Sequence, residues 1–152
     1  MKRRNLLEAL AAVAGCTTLP LLAAPSLPPV KVFKNPSCGC CGAWVEHMKS
    51  AGFVVEVNPV EDTTVARKRL GMPDAFGSCH TASVGGYVLE GRVPAAEVKR
   101  LLGLKPVAIG LAVPSMPPGS PGMEANGRED PYDVLLIDLG GHSSVFASYP
   151  KS

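Results

Sequence analysis

Apolar and polar positions divide the chain into segments of recognisable period. Val30-Lys31-Val32-Phe33-Lys34 alternates and predicts a strand. After a turn at Asn35-Pro36-Ser37, a helix is expected from the Cys38-Gly39-Cys40-Cys41-Gly42 cluster to about Ala51. Cys41, Trp44, Val45 and Met48 fall at i, i+3, i+4 and i+7 along it, and Gly52 ends it. Residues 53–57 are nearly all apolar and read as a strand covered on both faces. Asp62 or Thr63 can cap a second helix that reaches about Leu70 and stops at Gly71 and Pro73. Residues 81–84 and 87–89 flank Gly85-Gly86, a hairpin signal. Pro94 opens a third helix whose stripe is Ala95, Val98, Leu101 and Leu102, closed by Gly103. Beyond Lys105, residues 107–113 read as a strand and residues 114–131 as a Pro/Gly-rich loop. Residues 134–139 and 143–147 then form a hairpin around Gly140-Gly141.

Strands alternating with helices predict a mainly parallel α/β sheet. The order strand–helix–strand–helix–strand–strand–helix, with a C-x-x-C at the first strand-to-helix junction, resembles the thioredoxin/glutaredoxin fold over residues 30–104. Residues 105–152 are too short for a comfortable core of their own. They are expected to be a β-rich extension, ending in a hairpin, packed on that domain.

The 152 residues carry a net charge of +2, but Lys2, Arg3, Arg4 and Glu8 all lie in the first 24, and acidic and basic residues balance in the remainder. With aromatics at 5% and no basic run, nucleic-acid binding is not expected. No apolar stretch reaches the ~18 residues of a spanning helix, because Glu8 and Pro20 interrupt the one candidate. Residues 1–24 read as an export signal, basic at the start, Ala/Leu-rich within and small at Ala23-Ala24, with 25–29 as a Pro/Ser linker. Arg3-Arg4 resembles a twin-arginine signal, and Val13-Ala14-Gly15-Cys16 resembles a lipobox that would make Cys16 a lipid anchor. All of these readings place the mature chain outside the cytoplasm, in the periplasm.

The chemistry lies in the cysteines. Cys38 and Cys41 share one side of a first helical turn, where unpaired N–H groups favour thiolates. A thiolate is both the nucleophile of disulfide exchange and a soft-metal ligand, so the pair suits either use. Cys40 favours metal binding, because a third sulfur beside a redox pair invites scrambling. Cys79-His80 directly precedes the 81–84 strand, where thioredoxin-like proteins hold a cis-proline facing the C-x-x-C. In that fold Cys79, and with it His80, would face the cluster. The competing reading of Cys79 is a structural disulfide to one of the other three. Met48 is read as core, His47 as solvated and His142 as exposed, while Trp44 packs beside the cysteines. Met116 and Met123 lie where no helical stripe explains them, and thioethers suit Cu(I) handling.

The segments 34–45, 78–82, 86–95, 110–117 and 119–124 together resemble the bacterial domain-of-unknown-function family 411, the CopG-like copper-resistance proteins. The resemblance runs from about Val30 to Tyr149. It implies a periplasmic, thioredoxin-like copper-binding protein that interconverts Cu(I) and Cu(II), acting with other periplasmic copper-resistance proteins. Cys38, Cys41 and Cys79 would be the core ligands, Cys40 an additional one, and His80, Met116 and Met123 further candidates. Cys38 and Cys41 would be the redox pair of a possible copper oxidoreductase. Copper as the metal comes from the resemblance, since ligand softness alone also admits zinc. The alternatives are a metal-free thiol–disulfide oxidoreductase and a copper or zinc chaperone without redox turnover.

Overall fold

The computed structural model describes residues 26–124 and 127–151. The expected leader, its twin arginines and Cys16 lie outside the described residues. Along the chain come β1 (Val30–Lys34), α1 (Gly39–Ser50), β2 (Val55–Pro59), α2 (Thr63–Leu70), β3 (His80–Val84), β4 (Tyr87–Gly91), α3 (Ala95–Leu104), β5 (Gly110–Val113), β6 (Tyr132–Ile137) and β7 (Ser143–Tyr149). The result is a mixed α/β structure on one seven-stranded sheet of order β2-β1-β3-β4-β5-β6-β7.

Local chemistry explains most boundaries. The Asp62 side chain accepts the Thr64 N–H at 2.8 Å and so caps α2. Gly85 and Gly86 both have positive φ, 54° and 87°, the two-residue turn that matches strand twist between β3 and β4. Pro94 stands as the N-cap of α3. That helix runs through Gly103 and is capped by Lys105 at φ 50°, two residues beyond the glycine signal.

Two expectations are corrected. The sheet is not mainly parallel: β1·β2 and β4·β5 are parallel, whereas β1·β3, β3·β4, β5·β6 and β6·β7 are antiparallel. Hairpins reverse the chain after β3 and β6, and β3 enters antiparallel to β1 although α2 connects it to β2. The strand expected at 53–57 begins two residues later and is an edge strand, not one covered on both faces, and Val54 and Val57 are exposed. The expected extension packed on residues 30–104 is β-rich, and β5, β6 and β7 lie in the same sheet as β1–β4. β5 pairs with β4, from Val88↔Gly110 to Gly91↔Val113, so the same sheet continues.

Successive strand residues point to opposite faces. Leu89 and Leu111 join Trp44, Met48, Val98 and Leu101 in the larger core, beneath α1 and α3. Val88 and Ala112 face the other way, with Met72 and Ile137. Met48 is completely buried, as its place on the apolar stripe predicts.

Candidate metal centre

Four chain segments meet at one end of the sheet. β1 leaves there toward α1, and the antiparallel pairing of β1 with β3 sets Lys34 opposite His80. That register brings the start of β3, and Cys79 before it, beside the α1 N-terminus. β4 and β5 end in step at Gly91 and Val113, so Arg92 and the Ser115 loop emerge at the same edge. The turn into α1 is held by Asn35, whose carbonyl accepts the Cys38 N–H at 3.0 Å and whose side-chain oxygen accepts the Ser37 N–H at 2.9 Å.

The ligand atoms of Cys38, Cys40, Cys41 and Cys79 all lie within 4.8 Å of one another. Cys38 and Cys41 form a disulfide with Cα atoms 5.4 Å apart, and Cys40 and Cys79 are free thiols. The disulfide contemplated between Cys79 and the cluster is thus not formed. Cys40 Sγ is 3.6 Å from Cys38 Sγ. The Cys41 side chain is buried, and the other three cysteines are partly open.

His80 is fully buried, with its ring tilted on that of Trp44 at 4.5 Å between centroids. Its Nδ1 is 3.5 Å from Cys79 Sγ, and Nε2 has no hydrogen-bond partner among the described residues. Burial, reinforced by the nearby Arg92 cation, drives its pKa down to about 3. A neutral imidazole keeps a lone pair for a metal, and His80 adjoins Cys79. Met116 is half-exposed in a cleft with Pro117, Pro118 and Tyr132. Met123 closes the turn of residues 120–123, its N–H donating to Ser120 at 2.7 Å. The structure therefore brings the four cysteines together with His80 at their edge.

Trp44 is completely buried, and its Nε1–H donates to the Val93 carbonyl at 2.9 Å, which ties α1 to the segment after β4. His47 corrects its expectation of a solvated side chain. It is half-buried, and its Nε2 accepts the Ala95 N–H at 3.0 Å, satisfying an otherwise unpaired donor at the start of α3. Burial lowers its pKa, against the raising influence of Glu124. His142 is exposed as expected, with Nδ1 3.3 Å from Asp138.

Sequence reasoning missed three charged residues. Arg92 is completely buried. It donates to the Cys40 carbonyl at 2.9 Å, the Pro121 carbonyl at 3.1 Å and Cys79 Sγ at 3.5 Å. Glu90, also completely buried, accepts from Arg67 Nε at 3.0 Å, the Ser78 N–H at 2.6 Å and the Thr81 hydroxyl at 2.6 Å. Burial pushes the Glu90 carboxyl up, opposed by those hydrogen bonds and by the Arg67 charge. The available signal was a pair of opposite charges, Glu90 and Arg92, interrupting the run from Val88 to Val93 where every other residue is apolar or glycine.

In donor chemistry the centre is soft. Sulfur predominates, no carboxylate belongs to the group, and such a set suits Cu(I) or Zn(II) over hard cations.

The family model described as "Protein of unknown function, DUF411" matches residues 76–123, the span that holds Cys79, Arg92, Met116 and Met123. Two solved structures, described as "Copper resistance protein copG", form 1 and form 2, superpose with a TM-score of 0.77 each. Both are 40% identical in sequence, over 82% of this chain and 99% of theirs. No curated protein matches the chain. At that identity and coverage, the chain belongs to the DUF411 family of CopG-like copper resistance proteins.

Proposed function

We propose that this chain is an exported, periplasmic copper-resistance protein that binds Cu(I) through Cys38, Cys40, Cys41 and Cys79 and cycles between a dithiol and the Cys38–Cys41 disulfide. The observation that carries the reading is the convergence of four sulfurs within 4.8 Å, one of them from a separate segment of the chain. Copper enters as cargo or substrate, and its identity draws support from the copper-resistance relatives. In the reduced state four thiols face one another, and soft thiolates hold Cu(I) well. In the disulfide state two donors are withdrawn, leaving Cys40 and Cys79. The coupled step balances simply. Two Cu(II) ions each accept one electron from the Cys38–Cys41 dithiol, giving two Cu(I), one disulfide and two protons.

His80 is the readiest additional ligand, since it is neutral and adjoins Cys79. Met116 and Met123 belong to the proposal as thioethers that take up or hand on Cu(I) from the 114–131 loop. The thioredoxin-like character of residues 30–104, and the division of the chain there, belong to the same reading, supported by the C-x-x-C at the first strand-to-helix junction. Anaerobic titration of the reduced protein with Cu(I), followed by desalting and metal analysis, tests it. At least one retained ion per chain and a thiolate-to-copper absorption band are expected, and no retained copper would end the copper assignment.

The disulfide itself favours a second reading, a metal-free thiol–disulfide oxidoreductase. That reading requires insulin disulfide reduction that depends on Cys38 and survives Cys40→Ser and Cys79→Ser. A chaperone without redox turnover would transfer metal with no change in the thiol count.

A further inference from the structure

The described residues contain two buried guanidinium groups, with opposite surroundings. Arg67 is matched to the Glu90 carboxylate at 3.0 Å. Arg92 is more deeply buried and meets no carboxylate among the described residues. Its Nη1 donates to two neutral carbonyls, of Cys40 and Pro121, its Nη2 points at Cys79 Sγ, and its Nε has no partner among the described residues. A buried cation with no compensating charge is costly, and folded proteins keep one where an anion belongs. The group this cation faces is the sulfur centre.

We propose that Arg92 is the charge-compensating and positioning residue of the sulfur centre, supplying the positive charge that an anionic metal–thiolate group at Cys79 requires. The inference rests on the soft-metal reading given under Proposed function. One monovalent ion shared by two thiolates carries a net negative charge, and further thiolates add to it. Out of water, that charge needs a fixed counter-charge. Arginine cannot ligate the metal, having no lone pair to give, so it acts from outside the ligand set. Its fork also ties Cys79 to the first turn of α1 through the Cys40 carbonyl, and to the 117–123 turn through Pro121. One side chain therefore holds two of the sulfur-bearing segments in register and balances their charge.

The test uses Ag(I), monovalent and soft like Cu(I) but redox-silent, so cycling between copper states does not enter. Reduced full-length protein, Arg92→Gln and Arg92→Lys are titrated under anaerobic conditions against a competing chromophoric chelator, and thermal unfolding of each is recorded without metal. Arg92→Gln is expected to weaken Ag(I) binding by about 10–100-fold, the range of lost outer-shell partners. Arg92→Lys, which keeps the charge and loses the fork, is expected to retain most of the affinity even where its melting temperature falls with that of Arg92→Gln. Wild-type affinity in Arg92→Gln, or equal weakening in both variants, would overturn the proposal by reducing Arg92 to a packing role. Where Arg92→Gln does not fold, Arg92→Lys decides alone, against Cys79→Ser as the reference for a lost ligand. Failure of the unaltered protein to bind Ag(I) or Cu(I) refutes the soft-metal reading and this inference together, whereas binding that ignores Arg92→Gln refutes this inference only.

Discussion

Glu90 accepts the backbone N–H of Ser78 at 2.6 Å, a bond from a completely buried carboxylate to the residue immediately before Cys79. The same oxygen takes Arg67 Nε at 3.0 Å, and Arg67 Nη2 donates to the Ser78 carbonyl at 2.9 Å. The ion pair thus grips both polar groups of the Ser78 backbone. Removing Glu90 leaves the buried Arg67 only the exposed Asp74 carboxylate at 3.4 Å, so Glu90→Gln should cost about 3 kcal/mol of stability. Urea unfolding checks this, and a loss under about 1 kcal/mol would show that the pair does not hold the Cys79 segment.

Cys79→Ser and Cys38→Ser should separate metal binding from folding. Each removes one sulfur from the group of four, and each should lower Cu(I) affinity at least tenfold in chelator competition, with the circular dichroism spectrum unchanged. Cys38→Ser also opens the disulfide. That ring spans a sequence separation of only three, so chain entropy assigns it no more than about 2 kcal/mol. Unfolding on either substitution would mean that the sulfurs serve the fold instead.

Acid should destabilise the protein through buried His80 and half-buried His47. Burial depresses the folded-state pKa of both His47 and His80 below 6.5, so each stays neutral in the native chain while the unfolded chain takes up a proton. Their contribution is complete above pH 6.5 and is lost as the pH falls, for His80 down to about 3. For His80 the slope approaches ~1.4 kcal/mol per pH unit within its window, and His47 adds in the same direction. Urea midpoints measured from pH 7 to pH 4 should therefore decline. His47→Gln, which can still accept the Ala95 N–H, should flatten the upper part of that decline. An unchanged slope in His47→Gln would contradict the assignment.

Gly122 sits at φ +85°, in the left-handed region, against the first turn of α1 beside the sulfur group. A Cβ there would come within 2.8 Å of Arg92 Nη1, 2.9 Å of the Cys40 carbonyl and 3.0 Å of the Trp44 nitrogen. Gly122→Ala should cost about 1–3 kcal/mol from backbone strain. It should also weaken Cu(I) binding by pushing the turn off Arg92 and Cys40. Thermal unfolding and the same chelator competition read the two effects separately, and full retention of both would show that the turn relaxes freely.

The local elements were legible in the residue order because their causes are local. An i, i+3, i+4, i+7 stripe made α1, a capping Asp62 made α2, and two glycines made the β3–β4 turn. The closeness of Cys38 and Cys41 was legible for the same reason, since a spacing of three places both at one helical turn. Strand direction, the edge position of β2 and the continuation of one sheet into β5–β7 were not legible. Those depend on which strands find each other across the chain, and period alone does not encode a partner. The same holds for the centre itself. Cys79 reaches the other sulfurs because Lys34 pairs with His80, and a shift of one residue in that register would turn His80 and its neighbours to the opposite face. Arg92, Glu90 and the half-buried His47 owe their roles to burial, which arises only when distant segments close over them and water is excluded.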